Sequence, residues 1–161
     1  MDLPAGTKIE EGILTSQISF QQKLLELMGR GFTGYIIESV EHSIGIEEAL
    51  LVMKKGIIIG AHYEFKDGQE EYGEKALPMA LNAGLAPFGI LDINALSNQQ
   101  LDLIIAFQEK IVLDTEVKDR DLEKLMPKQY GKPSGMGTGA TQEPTKADLF
   151  KKLGLHGFEN R

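Results

Sequence analysis

His62 and Glu64 are the residues whose types and spacing come closest to a chemical site. They stand two positions apart in a predicted strand, so both side chains are expected on one face. A histidine beside a carboxylate could act as an acid–base pair or supply two ligands to a metal ion. The simpler interpretation is a solvent-facing polar pair. A buried, convergent cluster of His62, Tyr63, Glu64 and Tyr72 would instead favour a small-molecule sensor or hydrolase, with a pocket between a hairpin and the helix predicted at Gln69.

The remaining histidines give no further support for a metal site. His42 and His156 are far from His62 along the chain, and the chain contains no cysteine. Metal ligands must converge in space, and disulfide or thiolate chemistry requires cysteine. The sequence therefore predicts no structural metal and no cofactor.

Several glutamates have structural explanations that require no catalysis. Glu70, Glu71 and Glu74 are expected to begin a helix, where carboxylates interact favourably with the helix dipole. Glu38 and Glu41 are expected on an exposed strand face. The acidic residues therefore predict surface electrostatics rather than an active site.

A phosphate-binding loop and a nucleophile elbow are both absent in their required form. The glycine-rich stretch 131–139 lacks the spacing and the preceding strand of a phosphate-binding loop, since Lys132 stands at its start. Ser134 is far from any predictable histidine partner, and no nucleophile-elbow pattern occurs. The chain is therefore expected to carry no catalytic residues.

Composition limits the classes of partner. The 161 residues contain 17 basic and 24 acidic side chains, a net charge of −7, and 42% hydrophobic residues. This charge repels phosphate backbones and anionic lipid, so nucleic-acid binding is disfavoured. An acidic, polar N-terminus and the lack of an apolar run of about 18 residues indicate no signal peptide and no membrane span. We expect a cytoplasmic protein.

The residues between Phe32 and Ala61 predict the centre of a sheet. Strands are expected from Phe32 to Glu41 and from Glu47 to Lys54, and Lys55-Gly56 forms a hairpin corner before the apolar run that starts at Ile57. Further strands are expected at Lys8 to Leu14 and at Phe88 to Ile93. The predicted core contains four residues on one face of these strands: Ile36, Leu51, Ile58 and Ala61.

Helices are predicted around these strands. Ser19 and Ser97 are N-cap candidates for helices that extend to Met28 and to Leu113. A third helix is expected from Gln69 to Ala83, with a kink or break at Pro78, and residues 114–126 are weakly helical. The predicted fold class is α+β, a small antiparallel sheet flanked by helices.

The C-terminal part differs in composition. Residues 1–126 are expected to form the domain and residues 127–144, rich in proline and glycine, a flexible linker. Residues 145–161 are predicted to form a short amphipathic helical segment. Its apolar side chains are candidates for partner binding, either to the domain itself or to another protein: Leu149, Phe150, Leu153, Leu155 and Phe158.

One resemblance covers roughly residues 3–113. The runs FTGYIIESV, IIIGAHYE and YGEKAL occur in this order, and LSNQQLDLIIAFQ follows them. Together they resemble PATAN-type domains and related archaeal proteins of unknown function, although Lys55 replaces a commonly acidic residue and Pro78 lies inside the helix. The resemblance implies an α+β module of signalling or protein interaction, with no catalytic residues to transfer. We expect a non-enzymatic regulatory or adaptor domain that binds a protein partner.

Overall fold

A computed structural model describes residues 1–65 and 68–133. Its seven strands form one antiparallel sheet in the order β1-β6-β2-β3-β4-β5, and β7 pairs with the remaining part of the β4 edge. The strands are β1 (Thr7–Leu14), β2 (Gly34–His42), β3 (Gly45–Lys54), β4 (Ile57–Phe65), β5 (Gln69–Tyr72), β6 (Gly89–Ala95) and β7 (Val112–Val117). Within these residues the α-helices are α1 (Phe20–Gly29), α2 (Ala76–Ala83), α3 (Asn98–Phe107) and α4 (Asp119–Leu125). The predicted α+β class is confirmed.

The predicted hairpin is present and has a tight turn. Lys55 and Gly56 both have positive φ angles, 49° and 80°, as a two-residue turn between twisted strands requires. The serine caps are also present. The hydroxyl of Ser19 accepts from the backbone N–H of Gln22, and Ser97 forms a reciprocal capping box with Gln100.

Helices cover the two sheet faces unequally. On the first face, side chains of α1, α2 and α4 pack on the sheet in the larger core, which contains Ile36, Leu51, Ile58 and Ala61 at 0% exposure. On the second face, α3 places Leu101 and Ile104 in a smaller cluster with residues of β2, β3 and β4. The predicted core is confirmed.

A β-bulge in β4 explains why Ile58 and Ala61 share the first face. Two residues three positions apart would face opposite sides of a regular strand. Val52 pairs with Gly60 while the next residue, Met53, pairs with Ile58, so Ile59 is an extra residue. The extra residue restores the alternation of side chains between the two sheet faces. The apolar side chains before and after it therefore remain in their cores.

Two predicted helices are partly strands. Gln69–Tyr72 is β5, paired with β4, and Gly73–Lys75 forms a 3-10 turn before α2 begins at Ala76. Pro78 therefore lies in the first turn of α2, where a backbone N–H has no intrahelical partner. Because proline lacks only a donor that would be unpaired there, the kink that the sequence predicted is not required. Residues 112–117 form β7 because they pair with β4, so only Asp119–Leu125 of the predicted C-terminal helical stretch is α-helical. The helix that starts after Ser97 ends at Phe107 rather than at Leu113.

The start of the predicted linker lies against the domain. The Asn82 side chain donates to the carbonyl oxygen of Gly131 at 2.7 Å and accepts from its N–H at 2.8 Å. Tyr130 packs against the larger core and Pro133 is buried. Side-chain hydrogen bonds thus hold this segment against the domain, although it has few aliphatic side chains. The rest of the predicted linker and the predicted segment 145–161 lie outside the described residues.

Among the residues that the structure describes, no helix combines the length and the apolar character needed to cross a membrane.

Candidate functional site

The structure brings His62, Glu64 and Tyr72 together on the second face of the sheet. On β4, His62 pairs with Tyr72 of β5 and Glu64 pairs with Glu70, so four side chains of two neighbouring strands project to one side. Tyr63, which lies between the two β4 residues, faces the larger core on the first face. Tyr63 is therefore not part of the cluster that was expected for a sensor or hydrolase, whereas Glu70, which was not expected there, is part of it.

Hydrogen bonds organise this cluster around Glu70. The Nε2 atom of His62 lies 2.9 Å from Oε2 of Glu70, and the Tyr72 hydroxyl donates to Oε1 of the same carboxylate at 2.7 Å. The His62 side chain is 8% exposed and that of Glu70 is 36% exposed. His62 is therefore a nearly buried group, not the solvent-facing side chain that the simpler interpretation predicted.

The electrostatics of Glu70 follow from these contacts. The hydrogen bond from Tyr72, followed by that from His62, lowers the pKa of the Glu70 carboxyl below its usual range. The same bond raises the pKa of the Tyr72 hydroxyl, since loss of its proton would place a second negative charge beside the carboxylate. Glu70 is consequently an anion at neutral pH. The Lys110 ammonium lies over the Tyr72 ring, 4.5 Å from its centre.

The prediction that Glu70, Glu71 and Glu74 begin a helix is wrong. Glu70 and Glu71 lie on β5 rather than at a helix start, and Glu74 accepts from the backbone N–H groups of Asp114 and Thr115 at 2.6 and 3.1 Å. Glu74 therefore holds the strand β7 in place. The run QEEY has three consecutive polar residues and no apolar alternation, so no local pattern marked it as a strand.

A second polar cluster lies within the larger core, on the first face. Its centre is Glu47, whose side chain is 1% exposed. The carboxylate accepts from the Tyr63 hydroxyl at 2.9 Å and from the Tyr130 hydroxyl at 3.0 Å, and it lies 3.0 Å from Nε2 of His42. Three partners from three parts of the chain thus compensate the lost hydration of one carboxylate.

Tyr63 and Tyr130 remain neutral hydroxyl donors in this cluster. Burial, then the charge of Glu47, raises the pKa of both phenols well above its ordinary value. A cleft of about 30 Å³ adjoins the cluster and is lined by Glu47, Tyr63, Phe65, Gln69, Glu71, Met79, Asn82 and Pro133. It has room for ordered water but not for a drug-sized ligand, which occupies about 300 Å³ or more. We therefore expect this cluster to stabilise the fold.

Glu38 is buried in the same core, although the sequence predicted an exposed position. It is 0% exposed, and among the described residues neither carboxylate oxygen has a hydrogen-bond partner. Burial, and then repulsion from Glu47, raises the pKa of the Glu38 carboxyl well above its usual range. An unpaired charge there would be costly, so burial favours the protonated form of this side chain in the folded protein.

We expect Glu38 to make the protein less stable as the pH rises. Its folded pKa exceeds the unfolded value of about 4.3, so the stability that the bound proton provides is complete below about pH 4.3 and is lost as the pH increases through the folded pKa. Relative to Glu38→Gln, the wild-type free energy of unfolding should fall by up to about 1.4 kcal/mol per pH unit within that window.

Urea denaturation of both proteins at several pH values measures this difference, and its slope is informative even if the glutamine shifts the overall stability. Glu41→Gln, which removes an exposed carboxylate of the same strand, is the matched control. A pH-independent difference between wild type and Glu38→Gln would contradict the protonated state of Glu38.

The predicted partner-binding residues of the C-terminal segment, Leu149, Phe150, Leu153, Leu155 and Phe158, lie outside the described residues, as does His156. The structure therefore neither places them on the domain nor separates them from it.

A family model described as an uncharacterized protein conserved in archaea, DUF2226, matches residues 1–108, more than half of the chain. The chain belongs to this archaeal family. Comparison with curated proteins finds no match, and comparison with solved structures finds none. The DUF2226 region extends from β1 through α3 and includes His62, Glu64 and Glu70, whereas Tyr130 lies beyond it. The predicted relation to archaeal proteins of unknown function is confirmed at this level.

Proposed function

We propose that the protein is a non-enzymatic regulatory or adaptor domain that binds a basic, amphipathic segment of a partner protein. The observation that carries this proposal is an acidic and apolar part of the second sheet face on which large aliphatic side chains are exposed. We call this surface the open half-sheet.

A single row of side chains crosses six strands at the open half-sheet. Strand pairing joins Leu14 to Ile90, Ile90 to Ser39, Ser39 to Glu48, Glu48 to Glu64 and Glu64 to Glu70. Glu41 and Ile46 form the adjacent cross-strand pair on β2 and β3. The surface defined by these eight residues is broad enough to receive a helix.

The open half-sheet remains exposed because α3 packs further along the strands. The α3 cluster contains Tyr35, Leu50 and Val52, which belong to the opposite half of the same face. On the open half, Leu14, Ile46 and Ile90 are 42%, 53% and 43% exposed. Exposed aliphatic residues grouped on a sheet face are typical of interaction surfaces.

Charge indicates the chemistry of the partner. Glu41, Glu48, Glu64 and Glu70 place four carboxylates among the three aliphatic side chains. Such a surface repels nucleic acid and attracts lysine or arginine. A partner helix with an apolar stripe bordered by basic residues complements it, as in helix-in-groove recognition.

The resemblance to PATAN-type domains supports a role in signalling, and a cytoplasmic location is part of this proposal. The C-terminal residues 145–161 contain Lys151 and Lys152 beside the apolar side chains named above, so they are the other candidate occupant of the open half-sheet. In our proposal they instead contact the same partner and raise its effective concentration.

A photo-crosslinking residue placed at Ser39, in the middle of the row, tests this proposal. The full chain is irradiated in an archaeal cell lysate, and the crosslinked peptides are identified by mass spectrometry. We expect a basic, amphipathic segment of another protein. The double change Ile46→Ser with Glu48→Lys should reduce the yield at least tenfold, because it removes apolar area and reverses a charge.

Glu123→Lys is the matched control, since it makes the same charge reversal at an exposed position of α4 and should leave the yield unchanged. Melting temperatures verify that each variant is folded. Crosslinks only to residues 145–161 of the same chain, crosslinks to segments without basic character, or no crosslink would each overturn the proposal. An equal yield with the double variant would overturn it as well.

A further inference from the structure

We propose that His62, Glu64 and Glu70 bind a divalent transition-metal ion, such as Zn²⁺. The site shares Glu64 and Glu70 with the open half-sheet, but its evidence is separate, since it concerns only the pairing of β4 with β5 and the side chains there. One nitrogen and two carboxylate oxygens converge within 4.8 Å of one another.

The backbone fixes the three ligands from two directions. His62 and Glu64 project from the same side of β4, and Glu70 stands directly opposite Glu64 on β5. The ladder hydrogen bonds of two paired strands hold these backbone positions without help from the ion. Only side-chain torsions remain to be set when an ion binds, so little ordering is required.

The donor set matches the chemistry of first-row divalent ions. Imidazole nitrogen suits zinc, iron, nickel and copper, and carboxylate oxygen is accepted by the same ions. At zinc bond lengths of about 2.0–2.2 Å, neighbouring ligand atoms around a tetrahedral ion are roughly 3.3 Å apart. His62 Nε2 and Glu70 Oε2, at 2.9 Å, need to separate by only a few tenths of an ångström. Glu64, a half-buried side chain with three torsions, must move inward by more.

The contact between His62 and Glu70 marks the position of the ion. A proton lies on the line between these two atoms when Nε2 donates to the carboxylate, and an ion about 2.0–2.2 Å from both atoms would lie beside that line. An ion that binds there replaces this proton, as metal binding to histidine generally does. Glu70 Oε2 and His62 Nε2 are therefore already oriented for coordination.

Tyr72 supplies the outer support that metal ligands commonly have. Its hydroxyl holds Oε1 of Glu70 at 2.7 Å and leaves Oε2 for the ion. Its ring lies 5.1 Å from the His62 ring and limits the rotation of the imidazole. Three protein ligands leave at least one coordination position for water, as in zinc sites that bind small molecules.

Titration of the full chain with ZnCl₂ in a calorimeter, and with CoCl₂ followed by visible absorption, tests the site. We expect one saturable ion per chain. Glu70→Gln and His62→Gln should each weaken binding at least tenfold. Tyr72→Phe, which retains all three ligands but releases Oε1, should weaken it by about tenfold.

Glu71→Gln is the matched control for Glu70→Gln, because it removes the neighbouring carboxylate of β5 that lines the cleft on the first face. His156→Ala controls for binding elsewhere in the chain. Both should bind zinc as the wild type does. Absence of a saturable site, unchanged affinity in Glu70→Gln, or loss of binding in His156→Ala would overturn the proposal. Glu70→Gln changes an exposed side chain, so loss of folding is not expected to confuse the result.

Discussion

Replacement of Ile58 by Ala is expected to lower the free energy of unfolding by about 2–5 kcal/mol. Ile58 is 0% exposed and lies in the larger core beside the bulge of β4. Loss of three carbon atoms there removes buried apolar area and leaves a cavity, because a sheet held on both edges of β4 cannot collapse around it. Urea denaturation monitored by circular dichroism measures the change.

Ile90→Ala is the matched control for this substitution. Ile90 is also on an interior strand of the sheet, but it is 43% exposed, so the same truncation leaves no closed cavity. We expect it to cost less than about 1 kcal/mol. Equal losses at the two positions would show that Ile58 is not a core residue.

Replacement of Glu47 by Ala should cost about 3–5 kcal/mol, although a buried carboxylate is usually an unfavourable group. The reason is what the substitution leaves behind. Tyr63, Tyr130 and His42 would each lose their contact with Glu47, and among these three side chains one contact would remain, 3.3 Å between the Tyr130 hydroxyl and Nε2 of His42. Thermal and urea unfolding should both report this loss.

Two further variants test whether the loss of stability comes from the hydrogen-bonded cluster or from the removal of any negative charge. Tyr130→Phe removes one of the three partners and should cost about 1.5–3 kcal/mol, the range for a hydrogen bond to a charged group. Glu48→Ala removes the adjacent, exposed glutamate on the other face and should change stability by no more than about 0.5 kcal/mol. A Glu47→Ala protein as stable as Glu48→Ala would mean that the cluster does not hold the fold.

The elements that the sequence predicted correctly have local signals. Lys55-Gly56 between two apolar runs defined the hairpin, and Ser97 with Gln100 defined the start of α3. Positive φ at a turn and a capped helix end are properties of a few adjacent residues. Such features can be predicted without knowledge of the rest of the chain.

The elements that were wrongly predicted depend on distant partners. Gln69–Tyr72 continued the helical spacing of the apolar residues in α2, and no adjacent residue reveals that β4 offers it a free edge. The strand at Val112–Val117 exists for the same reason, through its pairing with Ile58 and Gly60. Tertiary pairing overrode local propensity in both segments.

The candidate site was predictable in part. The two-residue spacing placed His62 and Glu64 on one face, but Glu70 joins them only through the pairing of β5. Glu38 was wrongly placed because Tyr35, Ile36 and Ile37 give β2 apolar residues on both faces. Without a clear alternation, the sequence does not indicate the side on which a glutamate lies.

The strand order also determines when the sheet can be completed during synthesis. β6 lies between β1 and β2, so β1 cannot pair until β6 has been synthesised. The N–H of Gly12 in β1, for example, bonds to the carboxylate of Asp92 in β6, which is 80 residues away. At roughly 5–20 residues per second, a ribosome needs on the order of 4–16 s to make that stretch. During this time β2, β3 and β4 can already form a meander, but one edge of β2 has no partner strand. The newly made chain therefore passes through a stage in which a central strand of the mature sheet is an open edge, available to chaperones or to another copy of the chain.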